Sequence, residues 1–96
     1  MNSVLKSKPS KERISIFSKE FREDLSYWVK FDRNVALRIL DIVESIIREP
    51  FAGIGKPEPL RFLGGGVWSR RITQEHRLVY VVGDNKIDFI QCRYHY

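Results

Sequence analysis

Cysteine is almost missing from this chain: Cys92 stands alone, so no internal disulfide can form, and a reducing, cytoplasmic setting is expected. Histidine is nearly as scarce. His76 and His95 lie on different segments and, even with Cys92, offer none of the close-spaced ligand pairs of a zinc site, so metal-free chemistry is expected. No long apolar run exists either. The longest, Leu78-Val79-Tyr80-Val81-Val82, falls far short of the roughly 18 residues that cross a bilayer, so no membrane role is expected. Met1 to Ser10 carries Lys6 and Lys8 with no hydrophobic stretch behind them, which does not read as a secretory signal. Gly64-Gly65-Gly66 lacks the lysine and helix that must follow a phosphate-cradling loop, so no nucleotide cofactor is expected, and none of any other kind.

What the chain does have is positive charge and enough apolar residues for one core. Seventeen Lys and Arg against 12 Asp and Glu give a net charge of +5, which favours a polyanionic or acidic partner. At 96 residues, 43% of them hydrophobic, the expectation is a single globular domain over 13–96 behind a flexible tail at 1–12.

Period-2 alternation in Arg13-Ile-Ser-Ile-Phe17 predicts a short strand. Ser18 is placed to cap a helix whose Phe21, Leu25 and Trp28 share a face. Asp32 is placed to cap a second helix, with a stripe of Val35, Ile39, Ile42, Val43 and Ile46 that ends before Pro50. So short a link predicts antiparallel packing of the pair. Phe51 to Pro59, punctuated by Gly and Pro, reads as a defined loop, and Leu60 to Leu63 as the beginning of a strand that the glycines interrupt. Val67–Ile72, His76–Val82 and Lys86–Tyr94 read as strands joined by hairpin-length gaps, with Arg93 to Tyr96 extending the last one. The order β-α-α-β-β-β predicts an α+β fold of two layers, both helices covering one face of a mainly antiparallel twisted sheet and the other face partly open.

The polar groups at the sheet edges are Lys56, Glu58, Arg61, Arg70, Arg71, Arg77, His95 and Tyr96. Cutting RNA without a metal needs a base for the ribose 2′-hydroxyl, an acid for the departing 5′-oxygen and cations for the phosphate, and these are the residue types that supply them. His95 suits acid or base work because imidazole changes charge near neutrality, although from its position alone, so near the end of a chain, an exposed histidine is the favoured reading. Pro57 and Pro59 stiffen the backbone around Glu58, which is otherwise a solvated loop glutamate beside Lys56. Arg70 and Arg71 must point to opposite faces of a strand, one structural and one available to a partner. Arg77, starting an apolar strand, needs a phosphate or an internal partner such as Glu58 or Glu75. Trp68 and Tyr80 are suited to stacking on bases or to the core, the latter favoured for Tyr80.

Five strings carry a family likeness: Pro50-Phe51 with Gly53, Gly55-Lys56-Pro57-Glu58-Pro59-Leu60, Trp68-Ser69-Arg70-Arg71-Ile72, Glu75-His76-Arg77-Leu78-Val79-Tyr80 and Cys92-Arg93-Tyr94-His95-Tyr96. Together they resemble the YoeB toxins, a branch of the RelE-like superfamily of type II toxin–antitoxin systems, from about Ile14 onward. The resemblance implies an endoribonuclease that cuts mRNA in the ribosomal A site and leaves a 5′-hydroxyl on the downstream fragment. It implies Glu58 as general base, His95 as general acid, Arg77 as stabiliser of the transition state and Tyr96 as an aligning group, with Lys56, Arg61 and Arg71 binding RNA or ribosome. It further implies a YefM-type antitoxin and assembly as a homodimer or a toxin–antitoxin hetero-oligomer. The same superfold also hosts ParE-like gyrase inhibitors, the alternative that fold alone does not separate. A plain nucleic-acid-binding module is a third reading of the charge and aromatic content.

Overall fold

A computed structural model describes residues 12–94. Strand β1 (Ile14–Phe17) leads into helix α1 (Lys19–Phe31), helix α2 (Arg33–Arg48), a two-residue strand β2 (Glu58–Pro59), a 3-10 turn at Arg61–Leu63, and strands β3 (Val67–Arg71), β4 (Arg77–Val82) and β5 (Lys86–Gln91). The sheet runs β1-β5-β4-β3-β2, with β1 parallel to β5 and the other neighbours antiparallel. The mainly antiparallel two-layer α+β fold expected from the sequence is what forms.

Both helix starts are chosen by the predicted caps. The Ser18 hydroxyl accepts from Phe21 N–H at 3.0 Å and donates to the Ile90 carbonyl at 2.7 Å, so one side chain begins α1 and ties it to β5. Asp32 closes α1 by donating its N–H to the Trp28 carbonyl and opens α2 by accepting from Val35 N–H. Phe21 and Leu25 of α1 line one apolar cleft with Leu40 and Val43 of α2, as antiparallel helices place them. The apolar stripes bury Phe21, Trp28, Ile39, Ile42, Val43 and Ile46 against Leu78, Tyr80, Ile87 and Phe89 of the sheet. Among the described residues no helix is long and apolar enough to cross a membrane.

Three expectations need correction. Leu60–Leu63 does not begin a strand: Leu63 N–H donates to the Leu60 carbonyl and Gly64 N–H to that of Arg61, forming the 3-10 turn. The strand lies two residues earlier, at Glu58–Pro59 inside the presumed loop, because an edge strand tolerates a proline that has no N–H to give. The last strand also stops at Gln91 rather than running through Arg93 and Tyr94. At Cys92 the backbone turns to α1 instead, its N–H donating to Asp24 Oδ2 at 3.0 Å and its carbonyl accepting from Trp28 Nε1 at 2.9 Å. Of the remaining readings, the tail at 1–12 lies outside the described residues apart from Glu12, and His95 and Tyr96 lie outside them altogether.

Candidate active site

Alternation along the strands sorts the polar residues by face. Trp68 pairs with Tyr80 and Arg70 with Leu78 on the helix-covered side, so Ser69, Arg71, Arg77 and Val79 face away from the helices. Glu58 pairs with Ser69 and therefore shares that outer face. A row of directly opposed residues, Glu58, Ser69, Val79 and Gln91, crosses four strands, and Arg71 opposite Arg77 forms the next row. Strand spacing puts Glu58 about 8 Å from Arg71 and about 12 Å from Arg77 between Cα atoms, a gap that a nucleotide bridges. Ser69 and Val79 are only 2% and 5% exposed, so the strip between these charged residues is sheltered rather than flat.

The adjacent arginines divide as their alternation requires. Arg70 is fully buried, its Nε donating to Tyr80 Oη, Nη1 to Ser45 Oγ and the Ile54 carbonyl, and Nη2 to the carbonyls of Glu49 and Ala52. It fastens the 49–54 loop to the sheet. Tyr80 is buried, its hydroxyl donating to the Pro50 carbonyl at 2.6 Å, which settles it as core; burial pushes its phenol above the usual range, partly offset by Arg70. Trp68 packs its ring against Phe51 at the core margin.

Arg71 is half-buried, and its enclosed Nε has no hydrogen-bond partner among the described residues. Arg77 is also half-buried; its Nη1 donates to the carbonyls of Thr73, Gln74 and His76, so backbone oxygens hold it where Glu58 or Glu75 were the expected internal partners. Its Nε and Nη2 have no acceptor among the described residues. Lys56, exposed and at φ 51°, and Arg61, exposed on the 3-10 turn, flank Glu58. Among the described residues no three His, Cys, Asp or Glu side chains gather as metal ligands would. Burial, reinforced by Asp24, pushes the Cys92 thiol far above its usual range, so it is no nucleophile near neutrality.

One set of contacts was not legible beforehand: those that hold the chain beyond β5. Arg77 N–H donates to the Tyr94 carbonyl at 3.2 Å, and Tyr94 N–H to His76 Nδ1 at 2.7 Å. The Arg93 guanidinium lies 3.4 Å from the Tyr27 ring centroid. Only the closeness of His76 to Arg77 in sequence hinted at this.

Two helices on one side of a five-stranded mixed sheet, with a carboxylate and two arginines on the other, define a RelE-like toxin architecture. The YoeB dimer from Staphylococcus aureus superposes with a TM-score of 0.79 at 41% identity, covering 90% of this chain and all of that one. The heterotetrameric YoeB-YefM toxin–antitoxin complex from the same organism gives 0.75 at 42% over 90% and 100%. The family model for the YoeB-like toxin of bacterial type II toxin-antitoxin systems matches residues 17–96. Toxin YoeB of Mycobacterium bovis is 49% identical over 80 residues, 83% of this chain and 94% of that protein. The chain belongs to the YoeB-like toxins.

Proposed function

We propose that this toxin is a ribosome-dependent endoribonuclease that cuts mRNA in the A site by metal-independent acid–base catalysis. The observation that carries the proposal is the shared outer face of Glu58, Arg71 and Arg77, to which the chain is tied at Tyr94, one residue before His95. In this reading Glu58 takes the proton of the 2′-hydroxyl as its oxygen attacks phosphorus. The bond from phosphorus to the 5′-oxygen breaks, and His95 protonates that oxygen, leaving a 5′-hydroxyl downstream and a 2′,3′-cyclic phosphate upstream. Arg77 offsets the charge that grows on the phosphate, and its Nε and Nη2, with no acceptor among the described residues, support anion binding there. Tyr96 aligns the substrate, while Lys56, Arg61 and Arg71 hold RNA or ribosome.

A YefM-type antitoxin is the proposed partner, because relatives at 41–42% identity include a YoeB dimer and a YoeB-YefM heterotetramer, and a homodimer or hetero-oligomer is the proposed assembly. An acidic antitoxin segment would complement the net charge of +5. The test is cleavage of mRNA on programmed ribosomes by the wild type, Glu58→Ala and His95→Ala. Both variants should lose at least about 10² in rate, the usual worth of one placed proton transfer. Undiminished cutting by either overturns its role, and gyrase inhibition in place of cutting supports the ParE-like alternative.

A further inference from the structure

Tyr94 adopts φ 72°, a left-handed conformation that crowds the β-carbon of any residue but glycine. Its own side chain is 54% exposed, with the Arg93 guanidinium 4.6 Å from its ring centroid and the His76 ring tilted against it at 6.0 Å. Backbone hydrogen bonds hold it from both sides: Tyr94 N–H donates to His76 Nδ1 at 2.7 Å, and the Tyr94 carbonyl accepts from Arg77 N–H at 3.2 Å. An imidazole nitrogen accepts a hydrogen bond only when it carries no proton, so His76 must be neutral with its proton on Nε2. The ring is steadied edge-on against Trp28, centroids 4.8 Å apart, and the same Trp28 holds Cys92 through its indole N–H. A strained turn that its surroundings over-determine, directly before a proposed catalytic residue, is where strain has a use.

We propose that His76 is a positioning residue: its Nδ1 fixes the left-handed turn at Tyr94, one residue before His95, and so sets the direction in which the chain leaves Arg77. The proposal rests on the nuclease reading above. If His76 served only as a ring packed on Trp28, phenylalanine would replace it.

Cleavage on programmed ribosomes is compared for the wild type, His76→Phe, His76→Asn and His76→Gln. Asparagine places an oxygen near the position of Nδ1 and should keep the rate within about threefold, since the acceptor is restored. Phenylalanine keeps the ring but not the acceptor, and glutamine carries its oxygen too far out. Both should lose about 10- to 100-fold in rate at saturating ribosome, the cost of misplacing a catalytic group by about 1 Å, with the half-saturating concentration unchanged. Nitrogen-15 spectra of the wild type should show Nδ1 as the unprotonated ring nitrogen of His76. Should His76→Phe fail to fold, the contrast of asparagine with glutamine decides. Full activity of the phenylalanine or glutamine variant, an asparagine variant as slow as either, or a protonated Nδ1 overturns the proposal. Failure of the nuclease reading shows differently, as a wild type that does not cut or His95→Ala cutting at full rate; the positioning role then falls with it.

Discussion

Replacing Arg70 and Arg71 in turn by methionine should separate structure from function within one dipeptide. Arg70 donates five hydrogen bonds from a fully buried position. A hydrogen bond from a charged donor contributes about 1.5–3 kcal/mol. The five do not sum, since Tyr80 Oη keeps its bond to Pro50 and the carbonyls of Glu49, Ala52 and Ile54 belong to exposed residues that water can reach. Removing the buried charge also relieves its own desolvation. The bond to Ser45 Oγ is the one lost without replacement, leaving a net cost of about 1.5–3 kcal/mol, a sizeable share of the 5–15 kcal/mol typical of a domain. In urea unfolding followed by tryptophan fluorescence, with a slope near 1–3 kcal/mol/M, the Arg70→Met midpoint should fall by roughly 0.5–3 M. Arg71→Met removes an enclosed Nε that has no partner among the described residues and leaves the backbone bond from Arg71 N–H to the Gly55 carbonyl intact, so its stability should stay within about 1 kcal/mol of wild type while cleavage falls. Equal stability losses at the two positions, or an Arg70→Met midpoint unchanged from wild type, would refute the division.

Gly66 sits at φ 81° with a built β-carbon only 2.8 Å from the Val82 carbonyl oxygen, so Gly66→Ala should cost about 1–3 kcal/mol in thermal unfolding; Gly65, with open space around it, should accept alanine without loss. Burial raises the Asp24 carboxyl above its usual 3.8, against the pull of Cys92 N–H and Arg93, so folding favours its protonated form. Its contribution is full at acid pH and declines as pH rises from 3.8 through the raised value; Asp24→Asn should abolish that decline, and a pH-independent stability difference between the two proteins would contradict it. Lys56 occupies φ 51°, so Lys56→Gly should preserve or slightly raise stability while weakening ribosome binding and flattening its salt dependence by roughly one charge; an unchanged salt slope would remove Lys56 from the interface.

The helices and central strands were legible because side-chain period and capping chemistry act locally. Ser18, Asp32 and the stripe from Val35 to Ile46 act within a few residues of themselves. The opposed roles of Arg70 and Arg71 were legible in kind, since a strand forces alternation, but which arginine faced inward depended on the register of Trp68 with Tyr80. Misreading came where distant partners decide. Glu58–Pro59 became a strand because Ser69 and Trp68 offered an edge, and β5 ended early because Asp24 and Trp28, 68 and 64 residues away, claimed the backbone of Cys92. Nothing local in Cys92-Arg93-Tyr94 announces a left-handed turn.

These long-range ties suggest why a small fold can present charged groups on one face without a rigid core beneath each of them. Arg70 grips the loop at Glu49, Ala52 and Ile54, and Arg71 N–H then holds Gly55 at 2.6 Å, three residues before Glu58. The loop thus enters β2 already fixed to β3, and prolines on either side of Glu58 limit what freedom is left. On the far side of the same face, His76 and the backbone of Arg77 fix Tyr94. The two segments that the nuclease reading requires are therefore anchored by the flanks of β3 and β4, the antiparallel pair Val67–Arg71 and Arg77–Val82. A change that loosens this pair should disturb base and acid together, whereas a change in either anchor should disturb one alone.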